Sequence, residues 1–87
     1  MALSPDDYNL KEIDKAALKI LAEACNYSLY AHLPEQAILR KAPKNLQEDI
    51  KKSLHKLHKK GLSITHPTRG STTYDISREG LRLARMF

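Results

Sequence analysis

One part of this 87-residue chain limits its possible folds most. It is an amphipathic segment that ends at a glycine and is followed directly by two segments in which apolar and polar residues alternate. Four leucine and isoleucine residues recur at the spacing of one helical face, which predicts a helix with a single buried stripe. They are Leu46, Ile50, Leu54 and Leu57. Asn45 and Glu48 have the residue types and spacing of a capping box at the start of this helix. Gly61 is the type of residue that ends one.

The residues after Gly61 alternate in the manner of two short strands. Leu62, Ile64 and His66 alternate with small polar residues and predict one half-buried strand, and residues 72–76 predict the return strand. Residues 67–71, between the two strands, include an Arg-Gly pair and other residue types that favour a turn. The sequence therefore predicts a helix followed at once by a hairpin.

Local signals predict three further helices. Apolar residues at helical spacing place them over about Leu10–Cys25, over Pro34–Lys41 and after Ser77, which can cap the last one. Pro43 ends the second of these helices shortly before the amphipathic helix described above begins. That helix carries lysines opposite its apolar stripe and is called the basic helix below. Two helices joined by so short a turn predict a helix-turn-helix. Residues 27–33 are expected to form a connection that includes a short strand, because they contain residues that favour extended structure.

Length and composition limit the chain to one soluble domain. Hydrophobic residues make up 41% and charged residues 29% of the sequence, which is too apolar for a disordered chain. We expect a flexible N-terminal arm over residues 1–9 and a single domain over residues 10–87. The single Cys25 excludes a disulfide framework and a multi-cysteine zinc site, and we expect it to lie in the core. With no membrane-spanning run and no signal-peptide core, the expected location is the cytoplasm.

Charge is distributed unevenly along the sequence. Residues 1–39 carry three lysines against six acidic residues, a balance of −3. Residues 40–87 carry twelve Lys and Arg against four acidic residues, a balance of +8. A basic region that coincides with a helix and a hairpin is typical of a nucleic-acid surface. A solvated lysine face that only maintains solubility is the alternative.

The order helix, helix-turn-helix, hairpin, helix resembles the winged helix-turn-helix domains of small archaeal and other prokaryotic regulators, distantly those of the MarR and ArsR groups. The resemblance is carried by the predicted hairpin and its junction with the last helix, at His66, Pro67, Arg69, Gly70, Thr73, Tyr74, Ser77 and Gly80. It implies an α+β, mostly α fold with a three-helix core, a two-stranded wing and a C-terminal helix. It also implies that the basic helix is the recognition helix for the major groove of double-stranded DNA. A transcription regulator is the function that follows.

Seven residues are the candidates for contact with DNA. They are Lys44, Gln47, Lys51, Lys52, His55, Lys59 and Arg69. Gln47 and Lys51 lie early in the helix, where base edges are within reach, whereas Lys44 and Lys59 are expected to meet phosphates. Arg69 lies at the predicted wing tip, from which an arginine can enter a narrow minor groove.

Other functions find less support in the sequence. His55 and His58 share a helical face but have no further ligands at a recognisable spacing, and His32 and His66 would have to be brought in by the fold, so we predict no metal site and no cofactor. No nucleophile motif or phosphate-binding glycine loop indicates an enzyme.

Two questions about partners stay open. A winged-helix module that engages an acidic protein partner is the alternative function, because such domains also serve in protein interaction. A two-fold site on DNA would favour a weak homodimer, formed through Leu3 and Tyr8 or through Met86 and Phe87.

Overall fold

A computed structural model describes residues 4–87, apart from the side chains of Pro5, Pro67, Thr68 and Ser71. Within this range the chain has an α+β fold of four α-helices and one three-stranded antiparallel sheet. In chain order, the elements are α1 (Glu12–Ala24), β1 (Leu33–Pro34), α2 (Glu35–Leu39), α3 (Gln47–Lys59), β2 (Ser63–Thr68), β3 (Ser71–Ile76) and α4 (Arg78–Ala84). Short 3-10 helices cover Pro5–Tyr8 and Lys44–Leu46.

The sheet confirms the predicted hairpin and adds a short third strand. Its order is β1-β3-β2, so that β3 lies in the centre. The strand expected within residues 27–33 is only two residues long and lies at the end of that region, where Leu33 pairs with Tyr74. Asn26 and Tyr27 have φ values of 56° and 54°, so the chain turns sharply after α1 and residues 26–27 are not extended.

The hydrophobic core lies between the helices and the inner face of the sheet. The stripe predicted for the basic helix is confirmed, because Ile50, Leu54 and Leu57 of α3 are fully buried. Cys25 and Tyr74 are also buried, as their positions in the sequence suggested. Burial of this stripe fixes which face of α3 remains in solvent.

The predicted capping box at the start of the basic helix is wrong. Residues 44–46 form a 3-10 turn, in which the Leu46 amide donates to the Pro43 carbonyl. Leu46 consequently takes the capping position of α3, and no side chain caps the helix. Since Pro43 lacks an amide and sets an extended entry to this turn, the helix starts one residue later than the Asn45 signal indicates.

The strand after Gly61 is half-buried, but its faces are reversed relative to the apolar pattern. Ile64 and His66 lie on the exposed face of β2, whereas Ser63 is buried and its hydroxyl donates to the Leu54 carbonyl at 3.2 Å. Leu62 is buried just before the strand begins. The inward serine satisfies a carbonyl of α3, and the reversed faces bring His66 to the outer surface of the sheet.

The C-terminal helix begins as predicted. The Ser77 hydroxyl accepts a hydrogen bond from the Gly80 amide at 3.0 Å and caps α4. Gly80 packs directly on the chain before β2, where a Cβ atom would lie 2.1 Å from the Leu62 carbonyl oxygen. A glycine is therefore required for the close approach of α4 to the base of the hairpin.

Part of the N-terminal segment that is expected to form a flexible arm contacts the rest of the domain through Tyr8. The Tyr8 hydroxyl donates to Glu79 of α4, and Lys60 donates to the Tyr8 carbonyl at 2.7 Å. Hydrogen bonds from Arg82 and Tyr8 lower the pKa of Glu79 to about 2. Residues 1–3, including Leu3 of the dimer hypothesis, lie outside the described part of the chain.

Candidate nucleic-acid interface

The outward face of α3 is basic because the opposite face is committed to the core. The buried positions of the helix are Ile50, Ser53, Leu54 and Leu57. At about 100° per residue, the positions on the other side are Glu48, Lys52, His55 and Lys59, all of which are exposed. The core thus determines that three of the seven candidate residues share one solvent-facing surface.

A buried carboxylate holds α3 against α1. Asp14 is 1% exposed and accepts hydrogen bonds from the Ser53 hydroxyl at 2.9 Å, the Lys56 ammonium at 3.1 Å and the Lys11 amide at 3.0 Å. Burial alone raises the pKa of the Asp14 carboxyl, but these hydrogen bonds outweigh it and hold the pKa below its usual range. The carboxylate therefore stays charged, and Lys56 is committed to this contact.

Gln47 lies in the turn between α2 and α3 and has a structural role there. Its side-chain amide donates to the Leu39 carbonyl at 3.0 Å and approaches the Ala42 carbonyl at 3.5 Å. The Leu39 carbonyl also accepts the Ala42 amide at 3.0 Å, so the Gln47 side chain adds a second link between the start of α3 and the turn that follows α2. The donor group that sequence reasoning assigned to a base edge is thus occupied within the protein.

Lys51 and His55 flank the contact between α3 and the sheet. The Lys51 ammonium lies 3.6 Å from a carboxylate oxygen of Glu35, and the Tyr74 hydroxyl donates to the other oxygen of that carboxylate at 3.1 Å. Burial, and then the charge of Glu35, raises the pKa of Tyr74. The His55 ring packs edge-on against Tyr74, with 6.2 Å between ring centroids. These contacts therefore set the orientation of the Lys51 and His55 side chains, and the Glu35 carboxylate partly compensates the charge of Lys51.

The remaining candidate cations have no acidic partner among the described residues. Lys44, Lys52, Lys59 and Arg69 are exposed, and none of them forms an ion pair with a residue that the structure describes. Arg69 precedes Gly70 in the turn between β2 and β3, and Gly70 has the left-handed φ of 83° that this turn requires. These four candidates are therefore exposed positive charges in the turn before α3, on α3 and at the hairpin tip.

Two acidic side chains interrupt this surface. Glu48 and Asp49 are exposed in the first turn of α3, where they interact favourably with the helix dipole. Because Glu48 does not close a capping box, its carboxylate lies free on the outward face beside Lys52 and His55.

The sequence analysis missed further polar groups of two kinds. Arg40 and Lys41 are exposed at the end of α2, and their closeness in sequence to Lys44 was a usable signal. His32, His66 and Asp75 come together on the outer face of the sheet, with one ligand atom of each within 4.8 Å of the others. No local spacing connects these three residues, so only the strand pairing reveals them.

The histidine pair on α3 does not form part of such a cluster. The His58 ring lies 3.3 Å from the Ser63 carbonyl through Nδ1 and 3.4 Å from the Thr65 hydroxyl through Nε2. Both ring nitrogens are thus directed at β2, while the ring of the neighbouring His55 lies against Tyr74. The pair links α3 to the sheet and is not arranged around a common point.

Comparisons with known proteins identify no family for this chain. No protein-family model, no curated protein and no solved structure matches it. In the part of the chain that is described, no helix is both long and apolar enough to span a bilayer.

Proposed function

We propose that the chain is a winged helix-turn-helix domain that binds double-stranded DNA and acts in transcriptional control. The order of elements supports this assignment: α2 and α3 are joined by a tight turn, and the β2–β3 hairpin and α4 follow. In such a domain α3 is the recognition helix and the hairpin is the wing.

The observation that carries the proposal is the set of exposed cations on α3, in the turn before it and at the hairpin tip, which form no ion pair with any residue that the structure describes. Thirteen residues of α3 correspond to about 20 Å of helix, which is long enough to lie across a major groove about 12 Å wide. Lys52 and Lys59 point away from the core, and Lys44 and Arg69 extend the positive charge to the turn and the hairpin tip. Solvated cations without acidic partners are the groups that phosphates can bind without first breaking an ion pair.

Specific base recognition falls to the outward residues between Glu48 and His55 of α3. Lys52 and His55 are donors on this surface, and the Glu48 carboxylate is an acceptor suited to the amino group of cytosine. Gln47 contributes indirectly, because it holds the turn that sets the angle of α3. Lys51 contributes to a base edge only after its contact with Glu35 is released.

The experiment is a fluorescence-anisotropy titration of the full chain with labelled duplex DNA at several salt concentrations. Lys44, Lys51, Lys52, Lys59 and Arg69 are five permanent cations, so full use of all five predicts a slope of log K against log salt of about −4.5. The double variant Lys52→Ala/Lys59→Ala should make the slope shallower by about two units. Arg85→Ala is the matched control, because Arg85 is an exposed cation on the C-terminal side of α4 and should leave the slope unchanged.

Three results would contradict the proposal: no binding at low salt, a slope near zero, or a change of slope in Arg85→Ala as large, per charge removed, as the change in the double variant. The first two would turn attention to an acidic protein partner for the same positive surface. The third would mean that binding reflects net charge and not α3.

A further inference from the structure

A compact His-Asp-His cluster lies on the outer face of the sheet, away from the basic surface of α3. Asp75 is in the central strand β3, His66 is in β2, and His32 immediately precedes β1. The pairing of Leu33 with Tyr74 brings His32 beside Asp75 at the next position of the ladder. His66 pairs with Thr73, two residues before Asp75 on the same face. Three separate segments thus converge on one carboxylate.

The distances within the cluster are those of a potential ligand set. His32 Nδ1 lies 2.8 Å from Asp75 Oδ1, and His66 Nε2 lies 3.1 Å from Asp75 Oδ2. The two imidazole rings are edge-on, with 4.9 Å between centroids. Two ligands of a tetrahedral zinc ion lie about 3.3 Å apart when each bond is about 2.0 Å. The three ligand atoms lie within 4.8 Å of one another, and the two imidazoles, which are 60% and 45% exposed, would have to rotate to reach that spacing.

Asp75 provides an independent indication of a missing ligand. Its side chain is only 7% exposed, yet Oδ1 accepts no hydrogen bond from any residue that the structure describes. His32 Nδ1 lies 2.8 Å from this oxygen, within ion-pair distance, but the contact does not have hydrogen-bond geometry. A buried carboxylate oxygen without a donor is costly, and a cation on the solvent side would satisfy it.

We propose that His32, His66 and Asp75 bind a divalent transition-metal ion through their imidazole nitrogens and carboxylate, with water completing the coordination. Imidazole together with carboxylate suits Zn²⁺, Co²⁺, Ni²⁺ and Cu²⁺, whereas Mg²⁺ and Ca²⁺ favour sites made of oxygen ligands alone. The ion would tie the segment before β1 to both strands of the hairpin. This inference is independent of DNA binding, because none of the three residues belongs to the α3 surface.

The test uses the full chain, stripped with a chelator and titrated with Co²⁺ while the visible absorption of the bound ion is recorded. We expect one equivalent of Co²⁺ to bind, Zn²⁺ to displace it, and Mg²⁺ and Ca²⁺ to have no effect at comparable concentrations. His32→Gln and His66→Gln should each weaken binding by more than about tenfold. The melting temperature of the wild type should rise with Zn²⁺, and that of the two variants should rise much less.

The other two histidines provide the matched control. The double variant His55→Gln/His58→Gln removes the same number of imidazoles and should keep the affinity of the wild type. Asp75→Asn should also lose the ion. If that variant fails to fold, the two exposed histidine variants still decide the matter. Absence of Co²⁺ or Zn²⁺ binding to the wild type, or loss of binding only in the α3 double variant, would overturn the proposal.

Discussion

Substitution of Gly80 by alanine has two opposite effects on the free energy of unfolding. The helix propensity of alanine should raise it, whereas a close tertiary contact should lower it. Alanine in the interior of a helix is about 1 kcal/mol more favourable than glycine. The new Cβ, however, would lie 2.1 Å from the Leu62 carbonyl oxygen and 3.0 Å from Cγ1 of Ile76. An ordinary carbon-to-oxygen contact is about 3.3–3.6 Å, so α4 or the chain at Leu62 has to move by more than about 1 Å.

The size of the effect follows from what that movement disturbs. Overpacking typically costs about 1–3 kcal/mol. The Leu62 carbonyl also accepts the Ser77 amide at 3.2 Å, a hydrogen bond that contributes about 1 kcal/mol. After the helix-propensity gain of about 1 kcal/mol is subtracted, we expect the free energy of unfolding to fall by about 1–3 kcal/mol. For a domain of this size, the melting temperature should fall by about 5–25 °C.

The assay is thermal and urea unfolding of Gly80→Ala, followed by circular dichroism. Gly61→Ala is a useful comparison, because Gly61 has a φ of 77° but a Cβ added there would meet no other atom within 4 Å. It should lose only the smaller free energy of backbone strain, about 1 kcal/mol. If Gly80→Ala melts at or above the temperature of the wild type, helix propensity dominates and the close packing of α4 on Leu62 is refuted.

Three further predictions concern the α3 surface and its supports. Asp14→Asn should lower the free energy of unfolding by about 2 kcal/mol at pH 7. Since the folded protein lowers the pKa of Asp14, the advantage of the wild type should shrink in urea titrations as the pH falls below about 4, the ordinary range of the carboxyl group. An advantage that does not change with acidification would contradict this. Gln47→Ala should destabilise the fold by about 1 kcal/mol through loss of its hydrogen bonds to the turn, and an unchanged urea midpoint would disprove that role. Arg69→Ala should weaken binding to all duplexes alike and make the salt slope shallower by about one unit, whereas a loss confined to one sequence would indicate base recognition.

Signals within a single element made most of the fold predictable. The spacing of apolar residues located α1 and α3, and the alternation around Arg69-Gly70 located the hairpin. Ser77 capped the last helix as expected, because its partner Gly80 lies only three residues away. These features depend on neighbours within a few positions, which a sequence displays directly.

The errors occurred where a distant group competes with a local signal. Asn45 did not cap α3 because the proline two residues earlier imposes its own turn. Ser63 faced inward because a carbonyl of α3 accepts its hydroxyl, an interaction that the alternation of Ile64 and His66 does not reveal. The meeting of His32 with Asp75 depends on the pairing of β1 with β3, and those residues are 43 positions apart.

The third strand has only two residues, but it limits how much of the hairpin can move. Leu33 and Pro34 pair with Tyr74 and Thr73, so the base of the hairpin is supported on one side by the segment that leads into α2. Only the part of the hairpin between this support and the turn is free of β1. This projecting part is short, and Arg69 lies near its tip. A partner that contacts the tip has few backbone torsions to immobilise, and the entropic penalty of forming the contact is correspondingly small.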